Sequence, residues 1–342
     1  MKKKKVLIIG AGIKEYSLAE KFSQYENVEK VFAAPGNTLM EEFCTCVDIR
    51  ADKPMELLKF AVENEIDMTI AGSKKAIKND ISGVFHINNR LIFAPPAADF
   101  VLNSGAMKKF LYKLNIPTSK FGVFDNAKNA ADFLKEADYP LVAGTEDGSC
   151  KRIFTSFQPA KNFTEELFLL NEKRVVIEDY VYGHEFTFYA ITDGYHALPL
   201  VSAARTDDFV YAPDYKVSVD MEHELTDIVF RILETKQRQG MPYLGILGLE
   251  CTLAEDEAFV VRGVTPFLKD EDATAVLNLI DENLYTLFEN CAIGSFADDY
   301  HEVMIAPMSS VSRIVEGKTV SASANTLTRA CEKLSEELVQ PL

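Results

Sequence analysis

Lys5-Val6-Leu7-Ile8-Ile9-Gly10-Ala11-Gly12 is a short apolar run that ends in a glycine turn. Residues 15–25 follow, with Tyr16, Leu18, Ala19 and Phe22 at helical spacing, and residues 28–33 return to an apolar run. Strand, helix, strand in that order begins a parallel sheet, because parallel neighbours need a crossover between them. The alternation continues through helical residues 54–64, a strand at 68–71, helical residues 76–85 and a strand at 91–94. Residues 1–96 are therefore expected to form an open α/β domain on a parallel sheet.

Ala94-Pro95-Pro96 punctuates the chain, and the apolar-periodic helix expected over 98–114 stops at Asn115-Ile116-Pro117-Thr118. Beyond it, extended stretches at 121–124, 141–143, 152–157, 175–177 and 185–191 alternate less strictly with a helix at 127–137. Hairpin signals sit at Thr192-Asp193-Gly194 and at Ala254-Glu255-Asp256-Glu257, each between two apolar runs. Two hairpins in one region predict antiparallel sheet, hence an α+β middle unlike the first domain. A helix is expected over 273–292, then two short strands from Glu302 onward and a terminal helix over 326–339. No internal repeat is present.

The chain has 342 residues, 47% of them hydrophobic and 26% charged, enough to bury a sizeable core. Its 36 basic against 52 acidic residues give a net charge of −16. Such a balance repels nucleic-acid backbones and anionic lipid heads, and the only basic patch is Lys2 to Lys5. Those lysines followed by an apolar run resemble a secretory leader, but the run breaks at Gly10 with no small-residue cleavage site after it; a first strand is the expected reading. No apolar stretch approaches the ~18 residues of a transmembrane helix. Cys44, Cys46, Cys150, Cys251, Cys291 and Cys331 are scattered, which suits the reduced thiols of a cytoplasm. The close pair Cys44-x-Cys46 has no further Cys or His beside it, and His86, His184, His196, His223 and His301 form no ligand spacing, so no metal site is expected.

Gly10-x-Gly12, at a strand end that opens a helix, is a geometry that lets backbone N–H groups meet an anion. A dinucleotide fingerprint fails here: its third glycine falls on Glu15, and the second strand ends in Ala33-Ala34-Pro35-Gly36 rather than in an acid. Glu178-Asp179-Tyr180-Val181-Tyr182-Gly183-His184-Glu185 links two apolar strands with an acid at each end. Such a crossover can offer backbone groups to an adenine edge and a carboxylate to ribose hydroxyls. Neither a Gly-x-x-x-x-Gly-Lys-Ser/Thr loop nor a Gly-x-Ser-x-Gly elbow nor a His-Glu-x-x-His helix occurs.

In shared order, Val6 to Gly12, Ala34-Pro35-Gly36-Asn37, Phe93-Ala94-Pro95, Asn115-Ile116-Pro117-Thr118, the crossover from Glu178 to Glu185, the segment from Thr192 to Leu200, Pro242-Tyr243-Leu244-Gly245-Ile246-Leu247 and Ala324-Asn325-Thr326-Leu327 resemble the phosphoribosylamine-glycine ligases, ATP-grasp enzymes of purine synthesis. The resemblance implies a Rossmann-like pre-ATP-grasp domain over 1–96, an ATP-grasp-like domain over 97–295 with a small lid at about 119–177, and a shortened C-terminal piece over 296–342. It implies ATP and magnesium as cofactors, nucleotide contacts at Glu178, Asp179, Val181, Glu185 and Lys108, and an anion seat at Gly10, Gly12, Gly36 and Asn37.

The chain departs from the family where charge is handled. The family's Gly-Ser-Lys-Ala-Phe reads Asn103-Ser104-Gly105-Ala106-Met107, with Lys108 one turn later. Its second ATP lysine and glycine-rich flap become Leu141-Val142-Ala143-Gly144 and Ser149-Cys150-Lys151-Arg152-Ile153, and Arg262 stands where a magnesium carboxylate is expected. Its Arg-Glu-His becomes Lys14-Glu15-Tyr16, and its Gly-Pro-Glu becomes Gly72-Ser73-Lys74. Losing one preorganised charge-stabilising group typically lowers a rate about 100- to 1000-fold. The expectation is a ligase fold with impaired catalysis that at most binds a nucleotide or small anion. The alternatives are an active ligase with relocated groups (Lys108, Lys151, Arg152, Glu250, Asp270) and a scaffold or regulatory partner.

Overall fold

The computed structural model describes residues 3–255, 258–296 and 302–339; Lys2, Asp256, Glu257 and His301 lie outside them. The chain divides into two compact units. Met1–Ala97, Phe186–Gly248 and Thr265–Leu342 form the first, Ala98–Glu185 and Leu249–Val264 the second.

In chain order the elements are β1 (Lys4–Gly10), α1 (Ile13–Ser23), β2 (Val28–Pro35), β3 (Thr45–Cys46), α2 (Pro54–Glu63), β4 (Met68–Ala71), α3 (Lys74–Lys78), α4 (Ile81–Ile87) and β5 (Ile92–Phe93). They make a five-stranded sheet in the order β3-β2-β1-β4-β5, parallel throughout. Val6, Leu7, Ile8 and Ile9 are all fully buried. Val6 and Ile8 enter one apolar cluster and Leu7 and Ile9 the other, as the alternation of side chains along a strand covered on both faces requires.

Next come α5 (Asp99–Leu102), α6 (Ser104–Lys113), β6 (Phe121–Phe124), α7 (Ala127–Glu136), β7 (Leu141–Thr145), β8 (Lys151–Phe154), α8 (Phe157–Leu169) and β9 (Val175–Asp179). The four strands form an antiparallel sheet, β6-β9-β7-β8, backed by a core that includes Ala130, Leu134, Phe163 and Leu167. Then follow β10 (His184–Asp193), β11 (Ala197–Arg205), β12 (Val210–Ala212), α9 (Val219–Arg238), β13 (Leu244–Leu253), β14 (Phe259–Pro266), α10 (Ala273–Leu277), α11 (Leu284–Ile293), β15 (Ser309–Val315), β16 (Lys318–Ala324) and α12 (Leu327–Val339). The third sheet runs β14-β13-β10-β11-β12-β15-β16. The Thr192-Asp193-Gly194 signal is a true antiparallel hairpin. At the other, Ala254 N–H donates to Ala258 O at 2.8 Å. Because β12 pairs with β15, residues 296–342 are no separate body, and the span 97–295 is divided between the two units.

Three helices expected as continuous are broken, each at a side chain that competes with the helical ladder. Residues 98–114 break at Asn103, whose extended backbone caps α6 while its side chain accepts from Ala106 N. Residues 76–85 break at Asp80, left-handed at φ 53°, which caps α4. Residues 273–292 break before Asn283, which caps α11, and Ile280 in the gap bridges Ile305. The strand expected over 152–157 ends at Phe154, since Phe157 begins α8. α8 and α9 have no counterpart among the elements expected above.

Phe267 holds φ at +85°, a region that favours glycine. Its N–H donates to Ile246 O at 2.9 Å, and its fully buried ring lies where a Cβ on Gly72 would come within 2.4 Å of Cδ1. This contact accounts for glycine at 72. Beside it Phe93 stacks on Phe288, ring centroids 3.9 Å apart and 10° from parallel, both without exposure. Phe288→Ala removes that ring from a closed core and is expected to cost about 3–5 kcal/mol in urea unfolding; a loss under about 1 kcal/mol would show that the ring is not part of the packed core.

Candidate nucleotide site and family membership

A cleft of about 590 Å³ opens within the second unit, in the range of small-molecule sites. Its apolar walls are Val142, Ile153, Tyr180 and Val181; its charged lining is Lys151, Arg152, Glu178, Asp179, Glu185, Glu250 and Arg262, with Ser119. The crossover thus brings Glu178, Asp179, Val181 and Glu185 together. It is drawn tight at Gly183 (φ 151°), where a Cβ would lie 2.1 Å from Leu253 O, so only glycine lets the two backbones approach. Asp179 N–H donates to Lys120 O and Tyr180 N–H to Pro140 O. Val181 makes no hydrogen bond among the described residues, which leaves its N–H and C=O to a ligand edge or to water.

Beneath the cleft, Lys108 has no exposed surface. Its ammonium meets Glu178 Oε2 at 2.5 Å, Ser119 Oγ at 2.8 Å and Thr118 Oγ1 at 3.1 Å, so its three donors are committed. Ser119 Oγ donates onward to Glu178 Oε2 at 2.9 Å, and Lys151 lies 3.6 Å from Oε1. Burial alone pushes the Glu178 carboxyl up, but Lys108, Lys151 and Ser119 outweigh it and hold it below the usual carboxylate range. Lys108 is therefore a partner of Glu178 and lies outside the cleft lining.

The segment that matches the family's flap is a tight hairpin. Asp147 Oδ1 accepts from Thr145 Oγ1, Ser149 N and Ser149 Oγ at 2.6–2.9 Å, and Cys150 O accepts from Thr145 N. Glu146 O accepts from Ser104 N at 2.6 Å and Asn103 Oδ1 from Ala106 N at 2.7 Å. The N-terminus of α6 thus bonds to its own chain. At the outer edge Arg262 Nη2 meets Glu185 Oε2 at 2.9 Å, while Glu250 Oε2 lies 3.0 Å from where a Cβ on Gly263 would sit.

Gly10, Gly12, Gly36 and Asn37 gather at the ends of β1 and β2. Gly36 N donates to Gly10 O at 3.0 Å, and Asn37 Nδ2 to Ala11 O at 2.9 Å while its Oδ1 accepts from Leu39 N and Met40 N. The Gly12 N–H that an anion would use donates to Glu15 Oε2 at 2.8 Å, and Asp270 stands beside it, paired with Lys14. Burial pushes the Glu15 carboxyl up. An anion approaching this turn meets two carboxyl groups. Cys44 and Cys46 donate to Met40 O and Asn37 O, and burial together with Cys46 pushes the Cys44 thiol up to about 12, which keeps it protonated.

Glu178→Gln leaves Lys108 buried without a counter-charge and is expected to destabilise the protein by about 3–5 kcal/mol in urea unfolding. A paired Lys108→Met, Glu178→Leu variant is expected to recover most of that loss. Because the Glu178 value is lowered on folding, its stabilisation is complete above about pH 4.3, the unfolded value, and is lost as the pH falls below that value and through the lower folded one. The unfolding free energy of the paired variant, measured in urea at successive pH values, should accordingly depend less on pH in that window than that of the wild type. Equal stability of Glu178→Gln and wild type would contradict the pairing.

The N domain of phosphoribosylglycinamide synthetase matches residues 4–102, and its ATP-grasp (A) domain matches residues 104–267. A phosphoribosylamine-glycine ligase of Caldanaerobacter subterraneus subsp. tengcongensis is 28% identical over 313 residues, 83% of this chain and 74% of that one. One from Clostridium acetobutylicum is 32% identical over 209 residues, 58% and 50% of the two chains. The crystal structure of the Thermotoga maritima phosphoribosylamine-glycine ligase superposes with a TM-score of 0.79 at 15% identity, covering 97% of this chain and 95% of that one. The N5-carboxyaminoimidazole synthetase of Staphylococcus aureus shares the fold at TM-score 0.72 and 12% identity, covering 98% of each chain. No helix among the described residues is long and apolar enough to cross a membrane. From the crossover to the sheet order, and over the two matched domains, the chain belongs to the phosphoribosylglycinamide synthetase family, the phosphoribosylamine-glycine ligases of the ATP-grasp fold.

Proposed function

We propose that this chain is a nucleotide-binding member of the family in which the metal-assisted ligase step is impaired. The observation that carries the reading is the commitment of the cleft's charges to one another: Lys108 and Lys151 to Glu178, Arg262 to Glu185. The apolar walls, the unpartnered Val181 backbone and the Glu185 carboxylate suit a planar base and a ribose. A biotin carboxylase from Campylobacter jejuni with the same fold, at TM-score 0.71 and 14% identity, was solved as a complex with β,γ-ATP.

Acyl-phosphate chemistry asks for more than a seat. Charge that develops on transferring phosphate oxygens is offset by cations and a divalent metal. Magnesium takes oxygen ligands, chiefly carboxylates and waters, in a near-octahedral shell. Among the described residues no three Asp, Glu, His or Cys side chains gather to hold a metal, and the guanidinium beside Glu185 opposes one. The residues present do not fit magnesium, and no reaction step is assigned to it.

A second reading, an active ligase with relocated cations, is favoured by one observation: Lys151, Arg152 and Glu250 line the cleft. Of the groups named, Lys108 and Lys151 are engaged with Glu178 and Asp270 with Lys14. Measuring ADP release with ATP, magnesium, phosphoribosylamine and glycine separates the two. Turnover is expected to fall at least about 1000-fold below the typical ~10 per second of enzymes. A rate within tenfold of that value establishes the relocated-group reading instead.

A further inference from the structure

The misfit to magnesium carries a positive consequence for the ligand, and it rests on the nucleotide reading of the cleft. Arg262 is held loosely for a guanidinium. Among the described residues its single ion pair runs through Nη2 to Glu185, and its Nε–H, shut away from water, has no acceptor. Glu185 in turn is about half exposed and holds only this partner among the described residues, so both ends of the pair can be re-aimed by a ligand. Lys151, more than a third exposed, reaches the same cleft and stands opposite Gly144 in the β7–β8 register, where no side chain competes for the space. These are two tethered cations lining one cleft, Lys151 from β8 and Arg262 from β14, with apolar residues and an open peptide edge at Val181 in the same lining.

We propose that Arg262 is a resident cation that takes the place of a divalent metal, so that the cleft binds a nucleoside phosphate free of metal. On entry the ribose diol takes Glu185, and the released guanidinium turns to the phosphate oxygens together with Lys151. A planar fork of N–H donors matches phosphate oxygens and needs no metal bridge. A metal already coordinated to the phosphates competes with Arg262 for the same oxygens and is repelled by its charge. The ligand class is a nucleoside mono- or diphosphate: the lining holds three cations, Lys151, Arg152 and Arg262, against four acids, and so lacks the surplus positive charge that an unchelated triphosphate demands.

Isothermal titration of the full chain with ADP, once in EDTA and once with millimolar magnesium at matched ionic strength, tests this. Binding is expected in EDTA, and magnesium is expected to weaken it several-fold by withdrawing free nucleotide. Arg262→Gln should lose about tenfold in EDTA, the order of one charge-assisted contact, with an unchanged far-ultraviolet circular dichroism melt. Arg262→Glu should reverse the preference, so that magnesium strengthens binding. Tighter wild-type binding with magnesium than in EDTA overturns the proposal but leaves the nucleotide reading standing. Failure to bind ADP under either condition overturns the nucleotide reading itself, and this inference with it.

Discussion

Lys108 and Glu178 share a buried site in which every donor of the ammonium is taken. A charge removed from water is tolerated only where such partners repay its hydration. This pair joins α6 to β9 at the strand end where the crossover departs, and its carboxylate also reaches Lys151 on β8. Glu178 is thus held ionised at the base of the cleft, bonded to cations that a phosphate would otherwise attract. The ATP-grasp fold is retained while Lys108, and Lys151 at 3.6 Å, are paired with this carboxylate.

The same economy of partners runs through the neighbouring elements. Asn103, Asp147 and the Glu146 carbonyl take up N–H groups at the start of α6 and in the β7–β8 turn. Glu15 takes the Gly12 N–H, and Arg262 takes Glu185. Each contact is ordinary by itself. Together they give these N–H groups and this guanidinium partners within the chain itself.

Much of this was legible in the sequence, and for physical reasons. The run from Val6 to Ile9 announces a strand buried on both faces, since only such a strand is apolar without alternation. The acids at Glu178 and Glu185 mark the two ends of a crossover, and both face one cleft. What the sequence could not convey was competition among side chains. Asn103, Asp80 and Asn283 each cut an apolar-periodic stretch by capping the helix that follows, a choice decided by a single hydrogen bond. Lys108, expected at a nucleotide, is instead buried against Ser119, just before β6, and Glu178, on β9 and distant in sequence. Gly10-x-Gly12 looked like an anion turn, yet the residue that occupies its N–H, Glu15, lies one helical turn away in plain view; an acid three residues past a turn glycine is the signal that would have revealed it.

The central claim is that a nucleotide is held by Arg262 and Lys151 in place of a metal. Manganese titrated into the ADP-saturated protein, followed by electron paramagnetic resonance, examines that claim most directly. The account predicts that nucleotide leaves the protein as manganese is added and that no ion becomes immobilised on the chain. One tightly held manganese per chain, in a ternary complex with ADP, would contradict it.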